Sequence, residues 1–325
     1  MKVVWYERTG PAAEVLTYGE IAIPVPAANE VRIALKASGV NPADVNRRRG
    51  AGYAIDAPFI VPNSDGAGIV DAVGADVQQE WIGQRVWLYN GQRGRNLGTA
   101  AEFIAIDADL VARLPDNVSF KVGACLGIPC MTAHVCVHAR GDIAGKTLLV
   151  TGGAGAVGNY AIQLAKWAGA RVIATVSASG AADARTAGAD IVIDRQKDNV
   201  PVVIGEATAG KGVDHIVDVD FGGNLLMLPD IVALNGTIAS YASRGDATPK
   251  FPFYPLMRRN IGIRLVLLPT APHDARKKAQ TDIVRWLDEA PRFHRVAAVF
   301  PLSETAAAHE AVEAGGRRGT VVVAI

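Results

Sequence analysis

The hydrophobic pattern of this chain changes rhythm once, near residue 120. Before that point short stretches alternate apolar with polar residues. Val31-Arg32-Ile33-Ala34-Leu35-Lys36-Ala37 has a period of two, the mark of a half-buried strand. Residues 3–6, 66–74, 85–89 and 99–106 also read as strands. Pro24, Pro26, Pro42, Pro58 and Pro62 punctuate this half and exclude long helices. Many short strands separated by Gly/Pro turns predict a small β-barrel.

Beyond residue 120 apolar runs alternate with helical spacing. A helix is expected over 122–140, then strands at 147–150, 171–176, 191–193, 213–219, 236–240 and 261–268. A short helix over 181–187 ends at Gly188. Strands joined by helices predict a parallel, doubly wound sheet, so the expected fold class is α/β with a β-barrel beside it. An amphipathic helix at 274–289, a strand at 296–300, a helix at 303–314 with Ser303 as N-cap, and a strand at 320–323 close the chain. This tail is expected to return to the first domain. The expected domains are 1–122 with 269–325, and 123–268.

Residues 146–167 carry the strongest local signal. An apolar run, Thr147-Leu148-Leu149-Val150, is followed by Gly152, Gly153, Gly155 and Gly158, and then by helical spacing of Val157, Ile162, Leu164 and Ala165. Gly153, Gly155 and Gly158 form G-x-G-x-x-G after a strand and at a helix start. In that context Gly153, Gly155, Ala156, Val157 and Gly158 are expected to hold a dinucleotide pyrophosphate on the helix N-terminus. The plainer alternative is a structural glycine turn. The second strand ends in Thr175-Val176-Ser177-Ala178-Ser179-Gly180, with no acid to bond a ribose 2′-OH. Ser177, Ser179 and, after the third strand, Arg195 favour a 2′-phosphate and therefore NADPH.

Composition narrows the field. Of 325 residues, 50% are hydrophobic and 20% charged, as in a well-cored globular protein. The net charge of +1 provides no global field for nucleic acid or a membrane surface. No apolar run reaches the roughly 18 residues of a spanning helix. The N-terminus lacks the apolar core of a signal peptide, so a cytoplasmic location is expected. Cys125, Cys130 and Cys136 lie in apolar sequence and are expected as buried thiols. His134 and His138 stand at i, i+4, the geometry of a metal pair, but no Glu lies between them as in H-E-x-x-H. The expectation is two partly buried helix histidines and no metal.

Gly39-Val40-Asn41-Pro42-Ala43-Asp44, the turn from Asp65 to Gly74, Gly83-Gln84-Arg85-Val86, the glycine loop and Ala187-Gly188-Ala189-Asp190 resemble the zeta-crystallin-like quinone oxidoreductases of the medium-chain dehydrogenase/reductase superfamily. The resemblance implies a GroES-like β-barrel catalytic domain, a Rossmann domain, and an active site in the cleft between them. It implies an enzyme without zinc: Asn41 stands where the zinc enzymes have Cys, and Ser64, beside Asp65, where they have His. It places Asn41 and Thr132 near the nicotinamide and Tyr53 against substrate, where Tyr53 could donate a proton or merely plug the loop. Asp44 is implied as a structural cap. Phe221, Ser240 and Tyr241 follow the fourth and fifth strands toward the cofactor, and Gly319 closes over the phosphates. It also implies a homodimer through strand 261–268, which is too apolar for an exposed edge.

Without a Lewis acid an alkoxide is hard to stabilise, whereas a conjugated acceptor spreads the charge. The expected reaction is hydride transfer from NADPH to a quinone or α,β-unsaturated carbonyl. Two alternatives stay open. One is an enoyl-thioester reductase, with Arg47, Arg48 and Arg49 reading a phosphorylated pantetheine; the other is a non-catalytic NADPH-binding protein. The arginine run is otherwise expected as a solvated face, and the Gly-rich loop 90–95 as mobile.

Overall fold

The computed structural model describes residues 1–51, 55, 57–290 and 293–325. Two compact units emerge: Met1–Ile128 with His294–Ile325, and Pro129–Phe293.

In the first unit β1 (Lys2–Trp5) pairs antiparallel with β2 (Thr17–Glu20). Then come β3 (Glu30–Val40), β4 (Asp65–Val73), β5 (Arg85–Leu88), β6 (Phe103–Asp107) and β7 (Val111–Arg113). They form antiparallel pairs β3–β4, β4–β5, β5–β7 and β3–β6. Alternation along β3 sends Val31, Ile33 and Leu35 to one face, where they pack with Val70, Val86, Leu88, Ile104 and Ile106. Each such side chain contributes about 1.5–3 kcal/mol on burial.

The second unit is one parallel sheet. It contains β8 (Thr147–Thr151), β9 (Arg171–Val176), β10 (Ile191–Asp194), β11 (Val213–Asp218), β12 (Val232–Ser240) and β13 (Gly262–Leu265), in the order β10-β9-β8-β11-β12-β13. That order is the doubly wound dinucleotide-binding one, with its switch point between β8 and β11. Leu149, Ile173, Ile193, Ile216 and Ile238 bury one face beneath the connecting helices. The chain then returns to the first unit. β14 (Val296–Pro301) pairs parallel with β15 (Thr320–Ala324), and β15 pairs antiparallel with β3. Among the described residues no helix is long and apolar enough to cross a membrane.

The structure departs from the pattern in four places. The helix expected over 122–140 is broken into Phe120–Gly123, a wide turn at Leu126–Cys130 and Met131–Val137. Gly127, at ψ −113°, leaves helical geometry, and Pro129 cannot donate a helical hydrogen bond. The Asp65 carboxylate occupies that break and accepts the Ile128 N–H at 2.8 Å. The segment 269–293, expected in the first domain, packs in the second unit. Its helix, His273–Glu289, buries Trp286 edge-to-face on Tyr160 at 6.1 Å and bonds Asp282 to His134 at 2.8 Å. Ser303 is not an N-cap: it lies in the 3₁₀ turn Leu302–Glu304, and Glu304 precedes the helix Thr305–Glu313 without a side-chain cap bond. Finally, β6 begins at Phe103 and β13 ends at Leu265, both shorter than the apolar runs that announced them.

A buried polar chain crosses the first unit. His309 Nε2 lies 2.9 Å from Asn63 Oδ1, Asn63 Nδ2 donates to Ser38 Oγ at 2.9 Å, and Ser38 shares a 2.7 Å bond with Thr99. With Asn63 Oδ1 as acceptor, His309 carries its proton on Nε2 (the tautomer is assigned from this bond). Burial, reinforced by the Arg48 charge, pulls His309 down to about 3. The folded state therefore prefers the neutral ring, and stability falls as pH drops from the unfolded value near 6.5 toward 3. His309→Gln should remove that part of the acid dependence. Urea midpoints at pH 7, 6, 5 and 4 should show the wild type losing up to about 1.4 kcal/mol more per pH unit than the variant. Equal slopes would reject the assignment.

Candidate functional site

The glycine loop joins β8 to the helix Ala156–Trp167. Its glycines answer to different constraints. A Cβ on Gly158 would overlap the Gly152 carbonyl oxygen, and one on Gly153 would press on Ile162 Cδ1 at 2.8 Å and Ala174 Cβ at 3.0 Å. Both are required by packing of helix on strand. Gly155 is less constrained. Its φ of −74° suits any residue, and a Cβ there would meet the Gly152 carbonyl oxygen at 3.3 Å, a tight contact but not an overlap. Gly155 is the helix N-cap and no side chain caps that end. Ala156, Val157 and Gly158 form the first turn, whose N–H groups lack intrahelical partners. The loop thus combines a backbone cradle with a positive dipole end, which suits a pyrophosphate.

The strand ends beside this loop carry the other polar groups of the second unit. Ser177 follows β9, and its Oγ lies 3.2 Å from Ser179 Oγ. Arg195 follows β10 and donates its N–H to the Val176 carbonyl at 2.9 Å, so its backbone lies against the end of β9. The nearby acid, Asp194, turns its carboxylate into its own loop, where Oδ1 accepts from the Gln196 N–H at 3.1 Å. No carboxylate stands on 175–180. At the switch point Asp218 is buried and ties three elements together. It accepts from Thr151 Oγ1 at 2.9 Å, Asn224 Nδ2 at 2.6 Å and Ser240 Oγ at 3.1 Å. Burial pushes its carboxyl up, against the pull of those three bonds. Tyr241 donates its N–H to the Asp218 carbonyl at 3.2 Å. Phe221 packs partly against the sheet core, and Thr132 is buried on the helix Met131–Val137.

In the first unit Asn41, Asp44, Ser64 and Asp65 form one cluster. Asn41 Nδ2 donates to Asp65 at 2.7 Å, while its backbone N–H donates to Asp44 at 2.8 Å. Ser64 Oγ donates to the other Asp44 oxygen at 2.7 Å. Burial pushes Asp44 up to about 6, with the hydrogen bonds from Ser64 and Asn41 opposing it. Burial, helped by the Asp44 charge, raises Asp65 well above the carboxylate range. The pair retains protons closer to neutrality than exposed carboxylates do.

The arginine run is not a solvated face. Arg48 is fully buried, pairs with Glu313 and donates to the Gly10 carbonyl. Arg47 donates to the Gln92 and Arg95 carbonyls, which leaves only Arg49 exposed. Those bonds, with Gln92 Nε2 donating to Val61 at 2.7 Å, also pin the loop expected to be mobile. Gly319, at φ +97°, sits where a Cβ would overlap the Arg295 carbonyl oxygen, so packing alone requires it. Tyr53 lies outside the described residues.

Comparison with known proteins agrees with this arrangement. The alcohol dehydrogenase GroES-like domain family matches residues 27–116, and the zinc-binding dehydrogenase family matches residues 156–289. The quinone oxidoreductase of Homo sapiens is 32% identical over 243 residues, covering 74% of this chain and 72% of its own. The chain belongs to the quinone oxidoreductase family of medium-chain dehydrogenases/reductases. The 2-methylene-furan-3-one reductase of Solanum lycopersicum is 32% identical over 266 residues, covering 78% of this chain and 69% of its own. Two solved structures each align over 100% of both chains. One is an NAD-dependent alcohol dehydrogenase (TM-score 0.89, 29% identity), the other a mycobacterial protein complexed with NADPH (TM-score 0.86, 28% identity).

Zinc does not fit the Asn41 cluster of this quinone oxidoreductase family member. Zinc sites need thiolate or imidazole donors. Here the amide and hydroxyl already bond the two carboxyls, and burial holds the Cys125 thiol protonated by pushing it up to about 12. Cys125, Cys130 and Cys136 are all free and buried. Sequence reasoning missed the Thr151–Asp218–Ser240 tie and the bond from Ile128 to Asp65, because neither follows a spacing rule; the one usable signal was Asp218 at a strand end.

The glycine loop makes a separable prediction. Gly158→Ala should lower Tm by several degrees, because helix and strand must part. Gly155→Ala should lower Tm by less than Gly158→Ala does, yet weaken NADPH binding at least tenfold in a fluorescence titration. Equal cofactor affinity in Gly155→Ala and wild type would refute the cradle.

Proposed function

We propose that this protein is an NADPH-dependent oxidoreductase that reduces quinones or α,β-unsaturated carbonyls. The observation that carries this reading is the uncapped start of the helix after β8, where Gly155 leaves the first-turn N–H groups open although its backbone conformation does not require glycine. The residues present fit a nicotinamide dinucleotide. Gly155 and the first-turn N–H groups of Ala156, Val157 and Gly158 hold the pyrophosphate. Ser177, Ser179 and Arg195 bind the 2′-phosphate, and the end of β9 offers no carboxylate to repel it. Ser240, Tyr241 and Phe221 border the cofactor at the ends of β11 and β12, and Thr132 contacts it from the helix Met131–Val137. In the first unit Asn41 is assigned to cofactor and acceptor; Asp65 fixes the direction of its amide, leaving one N–H to donate. Gly319 is assigned to the phosphates.

When bound, the nicotinamide supplies hydride from C4 to a conjugated acceptor. The protonation that completes reduction falls to Tyr53 or solvent. Conjugation spreads the transferred charge to a distant oxygen, so hydrogen-bond donors suffice and no metal is invoked. Both the quinone oxidoreductase and the furanone reductase among the relatives are named for conjugated carbonyl substrates. The enoyl-thioester alternative loses support, because Arg47 and Arg48 are tied to internal carbonyls and Glu313.

The proposal extends to a homodimer. β13 is the edge of the parallel sheet, and Leu265 and Leu267 beside it are 72% and 61% exposed. An exposed apolar edge favours pairing with a second copy.

Oxidation of NADPH and NADH followed against 1,4-benzoquinone, 9,10-phenanthrenequinone, an alkenal and crotonyl-CoA tests the reading. Turnover is expected with NADPH and the quinones or the alkenal. Ser177→Asp should raise the KM for NADPH at least tenfold and leave that for NADH within about twofold. Preference for crotonyl-CoA would transfer the protein to the enoyl reductases. Tight NADPH binding without any turnover would leave a binding protein. Sedimentation at micromolar concentration should show a dimer that Leu265→Glu dissociates; a wild-type monomer would end the dimer proposal.

A further inference from the structure

The second unit holds a polar cluster that the proposed reaction does not use. His134 and His138 lie one turn apart on and just after the helix Met131–Val137, and Asp282 comes from the helix His273–Glu289. His134 Nε2 is 2.8 Å from Asp282 Oδ2, which also accepts from Lys278 Nζ at 2.7 Å. The His134 and His138 rings lie 4.4 Å apart. His138 Nε2 is buried and has no hydrogen-bond partner. His134, His138 and Lys278, with Arg264, Ala275 and Asp142, line a cavity of about 490 Å³, and Asp282 stands behind them. Among the described residues this is the one group of three potential ligands whose donor atoms converge, all within 4.8 Å of one another.

We infer that His134, His138 and Asp282 form a transition-metal site, selective for Zn²⁺-like cations and open to solvent ligands on its cavity side. The chemistry follows from the donors. Two imidazole nitrogens and one carboxylate oxygen suit zinc, nickel or copper rather than calcium or magnesium, which prefer all-oxygen shells. Histidines at i, i+4 share a helix face and can bind one ion together. Three protein ligands with an open fourth position is the arrangement of a zinc site that keeps a water. Tetrahedral bonds of about 2.0–2.2 Å place ligand atoms roughly 3.3–3.5 Å apart. To reach that spacing the 2.8 Å bond between His134 and Asp282 opens slightly while His138, within 4.8 Å, moves in from the cavity side.

Three charged groups face the cluster besides the ligands: Lys278, Arg264 and Asp142. Lys278 occupies the cationic place beside Asp282, and its side chain is 62% exposed. The ammonium is a weak occupant that can swing into water, and the metal takes over its role of balancing Asp282. His138 is the informative ligand. Metal binding there displaces no hydrogen bond of His138 Nε2.

The site is separate from the Asn41 cluster, where zinc does not fit, so it does not restore alcohol dehydrogenase chemistry. It clamps the helix that bears Thr132 to the helix His273–Glu289. Failure of the proposed reductase activity would leave this inference intact, because its readout is metal binding.

The full-length protein, stripped with a chelator and dialysed, should bind one equivalent of Zn²⁺ per chain in calorimetry, with micromolar or tighter affinity. Co²⁺ should give visible d–d absorption with nitrogen-ligand character. His138→Ala should weaken Zn²⁺ binding at least tenfold and lower Tm by only a few degrees, the cost of losing the ring's hydrogen bond with the Gly141 backbone. Lys278→Ala should tighten binding at least threefold by removing the competing ammonium. Absence of a bound equivalent in the wild type would overturn the assignment. So would Zn²⁺ affinity in His138→Ala within a factor of two of wild type, because the ion would then be held adventitiously by other histidines.

Discussion

The second unit depends on one close approach. The helix that follows β8 can lie across the strand only because Gly158 and Gly152 meet backbone to backbone, with no Cβ between them. That contact aims the helix N-terminus at the switch point of the sheet and holds the first-turn N–H groups toward the ligand position. Helix propensity alone would favour Ala at Gly158, inside the helix, by up to about 1 kcal/mol. Glycine at 153 and 158 is therefore a packing demand, whereas at 155 the backbone conformation would admit another residue and only the Gly152 carbonyl stands close.

The first unit is organised by a different constraint, the satisfaction of buried polar groups. Asp65 sits where a carboxyl would ordinarily be costly. It is tolerated because Asn41 and the Ile128 N–H bond it and because it can keep its proton. The same carboxyl fills the break at Gly127, so the site chemistry and the helix interruption have one cause. Arg48 follows the same logic. A fully buried guanidinium persists only with Glu313 and the Gly10 carbonyl against it, and removing such a partner typically costs about 3–5 kcal/mol.

Much of this was legible in the linear pattern, and the reasons are specific. The period-two alternation of β3 and the apolar runs of β8, β9 and β11 report burial directly, because each side chain faces a core on a fixed side. The G-x-G-x-x-G loop was legible because its physics is local: a turn, a close approach and a helix start within six residues. The helix over 122–140 was misread because its apolar residues were weighed above the breakers Gly127 and Pro129, whose turn is filled by Asp65 from some sixty residues away. The arginine run was misread because three adjacent charges look solvated until Glu313 and the Gln92 carbonyl are placed beside two of them.

Spacing along the chain was enough to specify the two kinds of architecture, the order of the elements, the glycine loop and the missing acid after β9. Tertiary structure alone decided which polar residues are buried together. The Asp44–Asp65 pair, the Thr151–Asp218–Ser240 tie and the His134–His138–Asp282 cluster join groups up to 148 residues apart. It also decided that the helix carrying Asp282 packs with the second unit, through Trp286 on Tyr160. The physical reason is range. Periodicity encodes which face of an element is apolar, but a hydrogen bond between buried side chains is specified only once both elements have packed.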